Sequence, residues 1–181
     1  MDNKTKNMIL TGLFAALTAI GAYIVIPVGP APITLQLLFT VMSGIFLGSR
    51  YGALSQIIYI LMGLVGLPVF AGGAGGFSYI FAPSFGYVLG FVAAAFIVGK
   101  LLENDRKPGF LKIFLSCLFG TAVIYVIGYP YLYLVLTRVS GAAVTFQGLL
   151  KPAVLIFLPG DLAKITIASY TGRKMVPIIK R

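Results

Sequence analysis

The side chains able to do chemistry are few, and the most conspicuous lie in an apolar setting. Asp161 is one of only four acidic residues in the chain, and it falls in LPGDLAK, Leu158 to Lys164, between the blocks AVLIFL and ITIASY. Lys164 follows three positions later, so on a helix the carboxylate and the ammonium share one face. An ionisable group at membrane depth costs about 2.5 to 3.5 kcal/mol at a helix centre and by default marks a ligand or ion path. A self-neutralising pair with Asp161 as a helix cap is the plainer reading. A pair shared with a bound solute is favoured, because the longest glycine- and aromatic-rich segment is assigned to the same side of the membrane. Gln36, Gln56, Tyr59 and Tyr87 complete the intramembrane polar set.

Several chemistries are excluded. The chain has no histidine, which removes the commonest general base and zinc ligand. AGGAGGF, Ala71 to Phe77, lacks the lysine and hydroxyl residue of a phosphate-binding P-loop, and GxxxxGK[ST] occurs nowhere. Cys117 is the one cysteine and is read as a small buried hydrophobe. With no evident nucleophile and base pair, the expectation is a protein that is not an enzyme and that holds no metal or cofactor.

The elements that must position these groups follow from composition. Hydrophobic residues make up 59% of the 181 and charged residues only 10%, against roughly 25% charged in a soluble domain. No charge lies between Lys6 and Arg50, between Arg50 and Lys100, or between Lys112 and Arg138. With about 20 apolar residues per crossing, these windows hold two, two and one spans, and residues 152–172 a sixth. The fold class is therefore an all-α integral membrane protein of six transmembrane helices, a single domain over residues 1–181. The first span stays in the mature protein, being longer than a signal-peptide core and followed by further spans.

A net charge of +10 reflects orientation and not nucleic-acid binding, because Lys and Arg gather in cytoplasmic loops. Placing both termini in the cytoplasm puts eleven of the fourteen cations there, Lys180 and Arg181 included, and only Arg138 and Lys151 opposite. The spans are expected near residues 8–27, 34–48, 52–67, 84–102, 111–136 and 151–172. Gly29, Pro30 and Pro32 end the first, SRY links the second and third, and Pro130 kinks the fifth. Counted inward from Lys151, Asp161 lies roughly 15 Å deep on a continuous helix; a break at Pro159 and Gly160 raises it toward the outer third. Residues 66–86, broken by glycine and proline, form a loop over the outer mouth between helices 3 and 4, packed on protein because bare backbone cannot face lipid. Gly44 with Gly48, Gly86 with Gly90, and Ala15 with Ala19 have small-xxx-small spacing for close helix approach.

Four motifs in order, GPAPITLQ, GLVGLPVFAGGAGG, FAPSFGYVLGF and LPGDLAK, together resemble the BioY family, the biotin-binding subunits of energy-coupling factor (ECF) transporters, over essentially the whole chain. The resemblance implies a multi-pass protein of a bacterial plasma membrane, high-affinity biotin capture at the outer face, and no ATPase activity in this subunit. It also implies partnership with a transmembrane coupling (T) protein and two ATP-binding cassette ATPases. By that resemblance Asp161 and Lys164 match a substrate-binding D-x-x-K, Tyr87 lies in P-x-x-G-Y, and Gln36 ends T-L-Q. Ala15 and Ala19 look like the patch that docks on the coupling protein. Tyr131 stands where a larger aromatic is expected in many relatives. For biotin, Asp161 is suited to accept the ureido N–H groups, Lys164 to serve the tail carboxylate or to hold Asp161 ionised, Phe70, Phe77 and Tyr87 to form walls, and Gly73 with its neighbouring glycines to let backbone approach closely. Gln56 and Tyr59 are included in the expected site. The competing reading is an autonomous proton-coupled carrier in which Asp161 takes up the proton.

Overall fold

The structure, a computed structural model, describes residues 3–28 and 30–179; Gly29, Lys180 and Arg181 lie outside the described residues. Among the described residues five long helices carry the fold: α1 (Asn3–Tyr23), α2 (Gln36–Leu64), α3 (Phe85–Leu102), α4 (Phe110–Leu134) and α5 (Leu158–Ile179). Each lies in a stretch long and apolar enough to cross a membrane.

The second of these is two arms. Gly48 leaves the helix with φ 77° and ψ −174°, a left-handed conformation that a side chain disfavours. The arms then run back along each other: Gln36 bonds Tyr59, Thr40 bonds Gln56, and the Ser43 hydroxyl reaches the Gly52 carbonyl, a descending antiparallel register. A Cβ on Gly52 would sit 3.0 Å from the Gly44 Cα, so small residues set the tightness of the reversal. The expected SRY link is thus helical, because one glycine makes the whole turn. Gly48 itself has nothing within 4 Å of a built Cβ, so its role is conformational and not the packing expected of it. Gly99 does that packing: its Cβ would fall 2.3 Å from the Gly48 carbonyl carbon.

The first span ends earlier than expected, at Tyr23. The β-branched run Ile24, Val25, Ile26 before Pro27 disfavours helix and instead forms β1 (Val25–Ile26), which pairs antiparallel with β2 (Ile33–Thr34), Val25 opposite Thr34. Residues 66–84 contain two short 3-10 turns, Ala71–Gly73 and Phe77–Phe81. Their backbone is tied down: Phe70 N–H bonds the Ala74 carbonyl, and Gly76 N–H bonds the Gly63 carbonyl at 2.7 Å. Phe70 is fully buried, stacked on Tyr79 at 4.3 Å and edge-on to Tyr59 and Phe85.

The α4 helix continues through Pro130 and passes into a π-helical turn, Val135–Val139. A second π-helical turn, Lys151–Leu155, precedes α5, and the chain leaves the helix at Ile156 and Phe157 before restarting at Leu158. The break therefore lies just before Pro159, which occupies the first turn, where its missing N–H costs nothing. Asp161 is not the N-cap: its N–H donates to the Phe157 carbonyl at 2.9 Å, one turn in. Beyond α3, Glu103 accepts from Lys100 at 2.5 Å and from Ser49 at 2.7 Å, which holds its carboxyl below the usual carboxylate range.

Candidate functional site

The start of α5 delivers Asp161 and Lys164 to one buried face. Their ion pair is 2.8 Å long with both side chains nearly sealed from solvent, and the second carboxylate oxygen, Oδ2, accepts a hydrogen bond from the Tyr125 hydroxyl. Burying one charge uncompensated is strongly destabilising; here Lys164 and Tyr125 neutralise and orient the carboxylate together. An ionised carboxylate offers about four acceptor positions. Two are used, so the remainder is free for a ligand's donors.

These groups border a cavity of about 70 Å³ that also reaches Thr34, Gln36, Tyr79, Tyr87 and Phe157. Gln36, at the first turn of α2, gives an N–H to the Tyr59 hydroxyl at 2.6 Å and accepts from Thr34 at 2.8 Å. Tyr59 in turn donates to the Val69 carbonyl at 3.0 Å, which links the helix bearing Gln36 to the glycine-rich segment. The Tyr87 ring forms a wall, edge-on to Tyr125 at 6.1 Å and stacked near Phe157 at 6.4 Å. Its hydroxyl is spent on the Ala153 carbonyl at 2.9 Å, so Tyr87 contributes an apolar face and not a donor. Gly128 makes room for it, since a Cβ there would lie 2.5 Å from the ring.

The structure thus brings Asp161, Lys164, Gln36 and Tyr87 together around one cavity, with Tyr59 directly behind Gln36. The other sequence candidates lie elsewhere. Gln56 is buried in a separate polar knot with Thr18, Thr40, Ser43 and Ser55, where it stitches α1 to both arms of α2. Phe77 is 70% exposed and does not line the cavity, because the 3-10 turn it begins points Tyr79 inward instead. Phe70 is packed into the core behind the cavity and is no wall. Gly73 faces the Tyr23 ring, and within AGGAGG it is Ala71 that lines the cavity, joined from the rest of the segment by Tyr79 and Ser84. Tyr131 sends its hydroxyl to the Ile80 carbonyl, away from the cavity.

Ala15 and Ala19 are corrected as a docking patch. They are only 1% and 8% exposed and belong to the hydrophobic core, so the face of α1 they mark is turned inward. The exposed small residues of α1 are Gly12 and Ala16, flanked by Leu13 and Ile20, again four apart. Sequence reasoning also missed Tyr125, Thr121, Phe157 and Thr34. Tyr125 had a visible signal, a tyrosine four positions before Tyr129 in the charge-free window between Lys112 and Arg138, but nothing in the spacing tells which of the four tyrosines there faces α5. Among the described residues no group of three metal-ligating side chains occurs.

Comparison with known proteins agrees with this architecture. The profile of the BioY family matches residues 1–181. The biotin transporter BioY of Rhizobium etli is 35% identical over 184 aligned residues, covering 95% of this chain and 94% of that protein. The biotin transporter BioY of Thermotoga maritima is 42% identical over 123 residues, 68% of this chain and 72% of its own. The crystal structure of the S-component for biotin from an ECF-type ABC transporter superposes with a TM-score of 0.83 at 28% identity, over 97% of this chain and 94% of that one. A helical membrane architecture, a buried D-x-x-K pair at a cavity, and a match along the full length converge: the chain belongs to the BioY family.

Proposed function

We propose that this chain is a biotin-binding S-component of an ECF transporter, crossing the membrane six times with both termini in the cytoplasm. The two antiparallel arms of α2 supply two crossings, and α1, α3, α4 and α5 the other four. The topology places Lys6, Arg50, Lys100, Lys112 and Lys174 at the end of the bundle opposite the Asp161 cavity, in keeping with the cytoplasmic bias of Lys and Arg. The cavity then faces outward beneath residues 66–84. The protein is a transport protein and not an enzyme; biotin is its cargo and not a cofactor.

The observation that carries this reading is the buried Asp161–Lys164–Tyr125 cluster at an aromatic-walled cavity. Asp161 accepts the ureido N–H groups, Lys164 pairs with it at 2.8 Å and has further donors to offer, and Tyr87, Phe157 and Phe91 cover the apolar ring. Gln36, braced by Thr34 and Tyr59, presents amide edges to the remaining polar atoms. Asp161 already shares both oxygens with Lys164 and Tyr125; it is not the lone acid that a proton-coupled carrier would use.

The test is ligand analysis of the purified chain. Mass spectrometry of molecules released on denaturation is expected to give the biotin mass, and titration of the emptied protein with biotin, without ATP, a nanomolar dissociation constant. A different released mass, or no biotin binding, would reject the substrate.

Delivery inward requires an ATP-driven module of a T protein and two ATPases, docked on the exposed Gly12 and Ala16 face of α1. Ala16→Trp is expected to leave biotin affinity within about twofold, since exposed substitutions perturb a fold little, while abolishing co-purification with the T protein and ATPases. Normal assembly of that variant would remove this face from the docking surface.

A further inference from the structure

The opposite end of the bundle holds a second, larger cavity that biotin capture does not use. It measures about 680 Å³ and is framed by the first turns of α1, the Gly48 elbow, the end of α3 and Ile179 of α5. Among the described residues three cations line it, Lys6, Arg50 and Lys100, against one carboxylate, Glu103. Glu103 is bonded by Lys100 and Ser49 and lies in the field of Arg50, while neither Lys6 nor Arg50 forms a direct salt bridge among the described residues. Asn7 and Ser49 add polar edges, and Leu10, Phe46, Leu47 and Phe96 make an apolar flank. Phe96 is 45% exposed, and Met8, Ile9 and Leu13 continue the apolar surface along the outside of α1.

We infer that this cavity binds the phosphodiester headgroup of an anionic phospholipid. Two cations that form no salt bridge among the described residues, at the end of a membrane bundle, are drawn to anionic headgroups, and a guanidinium matches a phosphate in a two-point geometry. The apolar flank decides the source of the phosphate. A free ion would leave Leu10, Phe46 and Phe96 uncovered, whereas a lipid lays its glycerol and first acyl carbons along them. Because the lining comes from both sides of the Gly48 elbow and from α1, α3 and α5, the bound lipid holds together the arms that the single glycine turn joins.

Native mass spectrometry of the full chain, released from detergent carrying equal phosphatidylglycerol and phosphatidylcholine, tests this. Retained phosphatidylglycerol is expected to exceed phosphatidylcholine, and the Lys6→Gln/Arg50→Gln variant to lose that preference, at about fivefold per cation removed. Arg50→Lys keeps the charge and is expected to keep most of the preference, which guards against a variant that merely misfolds. Arg106→Gln/Lys107→Gln removes as much charge from outside the cavity and is expected to change nothing. Equal retention of the two lipids, an equal loss in the Arg106/Lys107 variant, or displacement of the lipid by millimolar inorganic phosphate would overturn the assignment.

Discussion

Asp161→Asn is expected to weaken biotin binding at least about a hundredfold, equivalent to roughly 2.7 kcal/mol. Hydrogen bonds to a charged group each contribute about 1.5 to 3 kcal/mol, and the amide replaces an acceptor-only group with one that presents donors to the ureido donors. The same change strands the Lys164 ammonium, which is 7% exposed and bonded to Asp161 at 2.8 Å, so loss of stability has to be separated from loss of binding. The double variant Asp161→Asn/Lys164→Met does this. Removing both members of a buried pair is far less damaging than removing one, so its thermal midpoint is expected to recover toward that of the parent while biotin binding stays lost. Titration calorimetry and thermal unfolding on the three proteins read both quantities. Should the double variant regain affinity with stability, Asp161 would be a structural ion-pair partner and not a ligand acceptor. If Lys164 acts only through its ion pair with Asp161, Lys164→Met costs no more than Asp161→Asn and the two effects do not add.

The sequence announced the ion pair because charge in an apolar run is costly and therefore conspicuous; what surrounds it was less legible. The i, i+3 spacing placed Asp161 and Lys164 on one face whatever the helix did next; the charge-free windows located the helices up to α4, and the apolar blocks around the pair located α5. Tyr125 was hidden because its relevance depends on the rotation of α4 against α5, which a nearly uniformly apolar span does not encode. Ala15 and Ala19 failed for the same reason: four-residue spacing identifies a stripe of small residues but not whether it turns toward the protein or the lipid, and Gly12 with Ala16 has the same period. The Gly48 reversal was expected as a linker because three polar residues follow it, yet a single residue of positive φ suffices when Gly44, Gly52 and Gly99 let the arms close. The short β1–β2 pairing was missed because two-residue strands carry no period, only the β-branched run before Pro27.

Phe70→Ala is expected to raise the biotin dissociation rate by an order of magnitude or more while leaving the ion pair intact. Phe70 does not line the cavity, but it anchors the segment whose Ala71 and Tyr79 do. Its ring is fully buried among Tyr59, Tyr79 and Phe85, and Tyr79 lines the cavity through the next turn. Truncating a buried phenylalanine costs about 3 to 5 kcal/mol, and here that loss falls on the segment's attachment, leaving Tyr79 without its stacking partner. Gly63→Ala provides the complementary test, because a Cβ at that position would lie 2.2 Å from the Phe70 ring and expel it without deleting it. Both variants are expected to expose residues 66–84 to protease and to speed dissociation together, as a lost cover should, with smaller effects on the association rate. Phe77→Ala, at an exposed position of the same segment, is expected to change neither. Parent-like dissociation kinetics in Phe70→Ala and Gly63→Ala would mean that the segment is packing alone and that ligand retention resides wholly in the Asp161 cluster.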